Sequence, residues 1–223
     1  MNTKSTTQLL VLLFALITVS VAPASDLRAG NGEPIQTRIE GHEVTGLLWA
    51  NGSGGGVVLS HGAVYDAASW TAQAKQMAAV GLTVLALDEV SADTINAAGR
   101  YLKQKWHEDT VSLIGASAGG ATALEAVAKS PSLWSQLILL SPAGGNLQSA
   151  ADELPILVVA SEDEGLSDNL REAAKLSFGT DDELFIVPGS AHAQAIFKTK
   201  SADTVMKKIL ARLGRRDQAK ESE

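Results

Sequence analysis

Along this chain, short unbroken apolar runs alternate with longer stretches whose apolar positions recur every three or four residues. The runs lie at 57–60, 83–87, 110–114, 137–140, 156–160 and 184–187 and are rich in Val, Leu and Ile. Apolar residues at successive positions over that length predict strands covered on both faces. Between the runs, Ser69 reads as the N-cap of a helix that puts Trp70, Ala74, Met77 and Ala78 on one face and stops at Gly81. Ser91 opens the next helix, with Ile95, Ala98, Leu102 and Trp106 at helical spacing, and residues 121–129 form a third. A fourth lies within 166–178 with Leu170, Ala173 and Ala174 inward, and Ala202, Val205, Met206, Ile209, Leu210 and Leu213 line a fifth. Ahead of this alternation, the β-prone runs 35–40 and 44–50 flank Gly41-His42-Glu43, which predicts an antiparallel pair at a sheet edge. The expected fold class is α/β, a mostly parallel eight-stranded sheet covered by helices on both faces.

Both ends of the chain fall outside that pattern. Lys4 is followed by polar residues and then by fourteen uncharged ones at 9–22, ending in Ala22-Pro23-Ala24. This basic, apolar, small-residue order predicts a secretory signal peptide over residues 1–24 and a mature chain, secreted or periplasmic, beginning at Ser25; an uncleaved anchor is the alternative, against which stands an apolar run short for a membrane span. Residues 25–34 read as an extended lead-in, 35–214 as one domain and 215–223 as a charged, frayed tail. With 223 residues, 45% of them apolar and 19% charged, the chain is long enough for one sizeable core.

Composition narrows the chemistry further. The absence of cysteine excludes disulfides, thiolate metal sites and a cysteine nucleophile. The net charge of −7 becomes −8 without the signal peptide, which holds one lysine and no acid. That balance argues against nucleic acid and against a stable membrane partner. His42 and His107 have no companions at ligand spacing, so neither a metal nor another cofactor is expected. The glycine-rich run at 51–56 precedes a strand instead of opening a helix, and no Gly-Lys-Ser/Thr follows it, so it is not a phosphate loop.

The chemistry gathers at Gly115-Ala116-Ser117-Ala118-Gly119-Gly120, between the predicted strand at 110–114 and the helix at 121–129. In the helix, Thr122, Glu125 and Lys129 confine polarity to one stripe, as burial beside the centre of a sheet requires. A strand that turns directly into a helix at a G-x-S-x-G serine lifts the hydroxyl out of the sheet, and the flanking glycines remove side chains that would clash. The turn also leaves the Ala118 N–H free at a helix N-terminus, ready to donate to an oxyanion. Parallel sheets present working residues at the carboxyl ends of their strands. Two further ends carry candidates: Glu162-Asp163-Glu164 after 156–160, and His192 after 184–187.

With the order serine, acid, histidine on successive strand ends, the chain resembles the α/β-hydrolase superfamily from about Gln36 to Leu213. The resemblance implies that Ser117 is a nucleophile, His192 its general base and Asp163 the carboxylate that orients the imidazole, with Glu162 and Glu164 as rivals for that place. It also implies that the loop opened by His61-Gly62 supplies a second oxyanion donor, the Ala63 N–H, and that Tyr65 lines the acyl pocket or covers it. The connection at 141–155 is too short for a cap domain, so the site should be open. The expected activity is cofactor-free hydrolysis of a small or surface-accessible carboxylic ester through an acyl-enzyme. Peptide, thioester or cyclic-ester hydrolysis and a non-catalytic binding role are the rivals, and the oligomeric state is open.

Overall fold

A computed structural model describes residues 30–50 and 54–220, with side chains to residue 214. The signal-peptide expectation over 1–24, the first part of the lead-in, and the turn at 51–53 lie outside the described residues.

The sheet has eight strands in the order β1-β2-β4-β3-β5-β6-β7-β8. These are β1 (Glu33–Ile39), β2 (His42–Trp49), β3 (Gly56–Ser60), β4 (Thr83–Leu87), β5 (Val111–Ala116), β6 (Gln136–Leu140), β7 (Ile156–Ser161) and β8 (Glu183–Val187). β1 and β2 form the expected antiparallel pair, with Ile39 opposite His42, and β2 runs antiparallel to β4. From β4 to β8 every pairing is parallel. β1 begins at Glu33, inside the segment expected to be a lead-in, because Glu33 and Pro34 pair with Leu48 and Leu47.

Every residue of β3, β4, β5, β6 and β7 is buried, as their unbroken apolar runs require. The pleat sends alternate side chains to opposite faces, so the core has two halves. On one face Val58, Leu85, Leu113, Leu137 and Val158 meet α2 (Ala92–Lys105), α3 (Ala118–Lys129), α4 (Leu147–Ala151) and α5 (Ser167–Ser177), here numbered after α1 (Thr71–Ala79). On the other face Val57, Leu59, Val84, Ile114 and Val159 meet α1 and α6 (Ala202–Lys220) through Ala74, Met77, Val205 and Ile209. At the edge, β8 is only half-buried over Glu183 to Ile186.

Three local expectations are corrected. The elbow helix begins at Ala118, not 121, so a single residue separates strand from helix. Ser69 does not cap α1: Asp66 caps a 3-10 turn, Ala67–Trp70, by accepting from the Ser69 N–H, and α1 follows at Thr71 without a side-chain cap. Asp66 lies three residues earlier and accepts with a carboxylate, so it takes the capping role first. Beyond residue 214 the backbone stays helical to Lys220, continuing α6 where a frayed tail was expected.

Candidate active site

The nucleophile-elbow geometry follows from how little room the turn leaves. Ser117 stands between β5 and α3 at φ 51° and ψ −118°, a conformation that ordinary residues avoid. Hydrogen bonds on both sides hold it there. Its N–H donates to Leu140 O at 2.9 Å, and its carbonyl accepts from Gly120 N–H at 2.9 Å and Ala143 N–H at 3.0 Å. The flanking glycines are required by contact: a Cβ on Gly119 would lie 2.3 Å from His61 O, and one on Gly115 would lie 2.7 Å from Gly119 O. The Ser60 hydroxyl, buried at the end of β3, donates to Gly119 O at 3.1 Å. A side chain at either glycine would force β3, β5 and α3 apart.

His192 arrives on the loop after β8 and closes on the serine. Its Nε2 lies 2.8 Å from Ser117 Oγ, and its Nδ1 lies 2.8 Å from Glu164 Oε2. With Nδ1–H donating to the carboxylate, Nε2 is left as the acceptor for the serine proton. The imidazole side chain is 43% exposed whereas the Glu164 side chain is 1% exposed, so the site is reached from the histidine side and backed by a buried acid. Glu164 Oε1 accepts from the Ser161 N–H and from the Ser141 hydroxyl, both at 2.9 Å. Three donors thus share one carboxylate, which compensates its burial.

The acid beside His192 is therefore Glu164, not Asp163 as expected from the sequence. The reason lies in the backbone. Past the register pair Ser161 and Val187, the Glu162 N–H donates to Val187 O and the Asp163 N–H to Gly189 O, both at 2.9 Å, so the β7 and β8 segments stay tied. Glu162 and Asp163 remain exposed. The chain then turns at Gly165, φ 81°, and the longer Glu164 side chain folds back three residues to the Ser161 N–H.

The loop after β3 brings backbone donors to the same place. A Cβ on Gly62 would lie 3.3 Å from Ser117 Cβ and 3.6 Å from Tyr65 Cδ2, so the loop runs against the serine with Tyr65 beside it. Gly62 N–H already donates to Gln194 Oε1 at 2.8 Å. Neither the Ala63 N–H nor the Ala118 N–H has an acceptor among the described residues. His61 turns away from the serine, its Nε2 lying 3.0 Å from Asp88 O and its Nδ1 2.8 Å from Gly62 O, which fits a role in shaping the loop. Tyr65 is half-buried at the rim, with Lys198 Nζ 5.5 Å from its ring centroid.

Two residues of this constellation were not singled out from the sequence. Ser141, fully buried with φ 43°, donates to Glu164 and accepts from the Ala193 N–H at 3.0 Å. Its position directly after β6, at a strand's carboxyl end, was the available signal. Gln194 gave no such signal; only the folded chain brings it to Gly62. Among the described residues no three His, Asp or Glu side chains converge in a way that could hold a metal ion.

No protein-family model and no curated protein matches the chain. Solved structures do match. A dienelactone hydrolase from Anabaena variabilis is 19% identical with a TM-score of 0.67, covering 81% of this chain and 95% of its own. A hyperthermophilic esterase from Pyrobaculum calidifontis is 15% identical with a TM-score of 0.69, covering 83% and 85% respectively. A carboxylesterase from Bacillus subtilis is 12% identical with a TM-score of 0.65, covering 85% and 94%. At these identities the likeness speaks for the fold, and the chain has the α/β-hydrolase fold, as the strand order also states.

Proposed function

We propose that this chain is an exported serine hydrolase that cleaves a carboxylic ester through an acyl-enzyme on Ser117. The observation that carries the reading is the unbroken hydrogen-bonded series from Ser117 Oγ through His192 to Glu164, with 2.8 Å at each step. Ser117 Oγ attacks the ester carbonyl as His192 Nε2 takes its proton, and Glu164 stabilises the imidazolium that forms. The carbonyl oxygen becomes an oxyanion and takes hydrogen bonds from the Ala63 and Ala118 N–H groups. As the tetrahedral intermediate collapses, the C–O bond to the alcohol breaks and His192 returns its proton to the leaving oxygen. A water activated by the same histidine then releases the acid.

The substrate is a small ester or one accessible at a surface. The connection at 141–155, where a cap domain would be inserted, holds only the five-residue helix α4. A cyclic ester is the second reading, favoured by the likeness to a dienelactone hydrolase. Export rests on the order of residues 1–24 and is tested by sequencing the N-terminus of the exported protein. Ser25 as first residue is expected; full-length chain retained in the cytoplasm would overturn it.

The activity is tested with chromogenic acyl esters of increasing chain length, thioesters, peptides and lactones, with Ser117→Ala run beside the wild type. Turnover of short acyl esters that falls about 10^4-fold in the variant is expected. Equal, feeble rates in both proteins would overturn the reading. Failure of folded wild type to be labelled at Ser117 by an active-site phosphonate would favour a binding role.

A further inference from the structure

Gln194 lies two residues after His192, is 5% exposed, and uses both ends of its amide on a segment more than 120 residues away. Its Oε1 accepts from Gly62 N–H at 2.8 Å, and its Nε2 donates to Ser69 Oγ at 2.7 Å. The Ser69 hydroxyl donates in turn to Asp66 O at 2.5 Å. One side chain therefore holds both ends of the loop that runs past the serine.

We infer that Gln194 is a positioning residue that ties this loop to the histidine loop and keeps the Ala63 N–H aimed at the oxyanion. The inference rests on the ester-hydrolase reading above. It follows from the planarity of the peptide bond. The Ala63 N–H belongs to the same rigid unit as the Gly62 carbonyl and points opposite to it. That carbonyl accepts from Tyr65 N–H at 3.0 Å and lies 2.8 Å from His61 Nδ1, contacts within the loop that hold the peptide relative to the loop and not the loop relative to the histidine segment. What remains free is the hinge at Gly62, which has no side chain to restrict it. Gln194 pins the peptide on the other side of that hinge. Without the amide, Gly62 N–H would be a buried donor with no partner, and the loop would turn to satisfy it, taking the Ala63 N–H out of line. Because the same two loops carry the base and the second oxyanion donor, the amide also sets the distance between them.

The test uses Gln194→Met, which keeps the volume and removes both hydrogen bonds, and Ser69→Ala, which removes the anchor of the amide together with the bond to Asp66 O and leaves the Gly62 bond in place. Gln194→Met is expected to lower kcat on short acyl esters about 30-fold with KM within threefold, between the loss of a whole oxyanion donor and no effect. Affinity for a trifluoromethyl ketone, which forms an anionic hemiketal on Ser117, should weaken by the same factor as kcat/KM, while competitive inhibition by the product carboxylate stays unchanged. Ser69→Ala should lower kcat about threefold and add nothing in the Gln194→Met background. Folded variants with wild-type kcat and wild-type ketone affinity overturn the inference, and so does a loss that falls equally on ketone and product. If Gln194→Met does not fold, Ser69→Ala decides on the same readouts. Amide exchange at Gly62 reads the tie without turnover: protection in the wild type and faster exchange in either variant are expected, and equal exchange overturns it. A wild type without Ser117-dependent turnover would instead overturn the hydrolase reading.

Discussion

Five non-glycine residues among those described have a positive φ, and they fall into two kinds. Glu40 and His107, at φ 50° and 54°, sit in exposed turns, one between β1 and β2 and the other after α2. Ser117, Ser141 and Ala193, at φ 51°, 43° and 50°, lie in the site, where each is a member of the hydrogen-bond network around Ser117 and Glu164. In the turns the left-handed backbone merely reverses the chain, and glycine would serve as well. In the site a positive φ aims the Ser117 and Ser141 hydroxyls and the Ala193 N–H, and glycine at either serine would lose the group being aimed. Strain without hydrogen-bonded purpose is tolerated; strain fixed from several sides marks the place where geometry matters.

The contrast can be broken most severely at Glu164. Glu164→Gln is expected to lower kcat on esters by about 10^3- to 10^4-fold, because an amide at Nδ1 no longer enforces the tautomer or stabilises the imidazolium. Asp163→Asn beside it should stay within about twofold of wild type, a residual error of a few tenths of a kcal/mol at an exposed position. Reversal of the two results in steady-state assays would return the acid to Asp163. Ser141→Gly sharpens the comparison next, since it relieves the positive φ while removing a hydroxyl that serves Glu164 and Ala193. Chemical denaturation should show a net loss of about 1–2 kcal/mol, with kcat down about tenfold, because orphaned buried polar groups cost more than the strain relieved. A gain in stability there would make Ser141 no different from the turns. His107→Gly is the smallest effect: up to about 1 kcal/mol of added stability and unchanged kcat are expected from denaturant midpoints and ester assays.

Much of this was legible because it depends on neighbours in sequence. The buried strands announced themselves through successive apolar positions, and Ser117 through glycines at two residues on either side. His192 was legible because it stands alone at a strand end. The choice among Glu162, Asp163 and Glu164 was not, because three consecutive acids specify a segment, and only the length of the pairing between the β7 and β8 segments decides which of them turns inward. Ser69 misled for a similar reason. Its hydroxyl suits a helix cap, but Asp66 takes that place locally and Gln194, 125 residues away, claims the hydroxyl. The resemblance to α/β-hydrolases supplied the roles of Ser117 and His192 and pointed to the loop opened by His61-Gly62, and the Gln194 tie lay outside it.

The order in which these parts are made has its own consequence. The elbow is complete once the Ala143 N–H reaches Ser117 O, whereas the histidine lies 75 residues beyond the serine and the Gln194 amide two residues further still. Before β8 and the loop after it are in place, the serine therefore has neither its base nor the tie that holds its second donor. On this reading the hydroxyl becomes reactive only when nearly the whole domain has been synthesised and docked. Ester turnover would then report the last event of folding, and a chain truncated before β8 would carry a formed nucleophile that nothing activates.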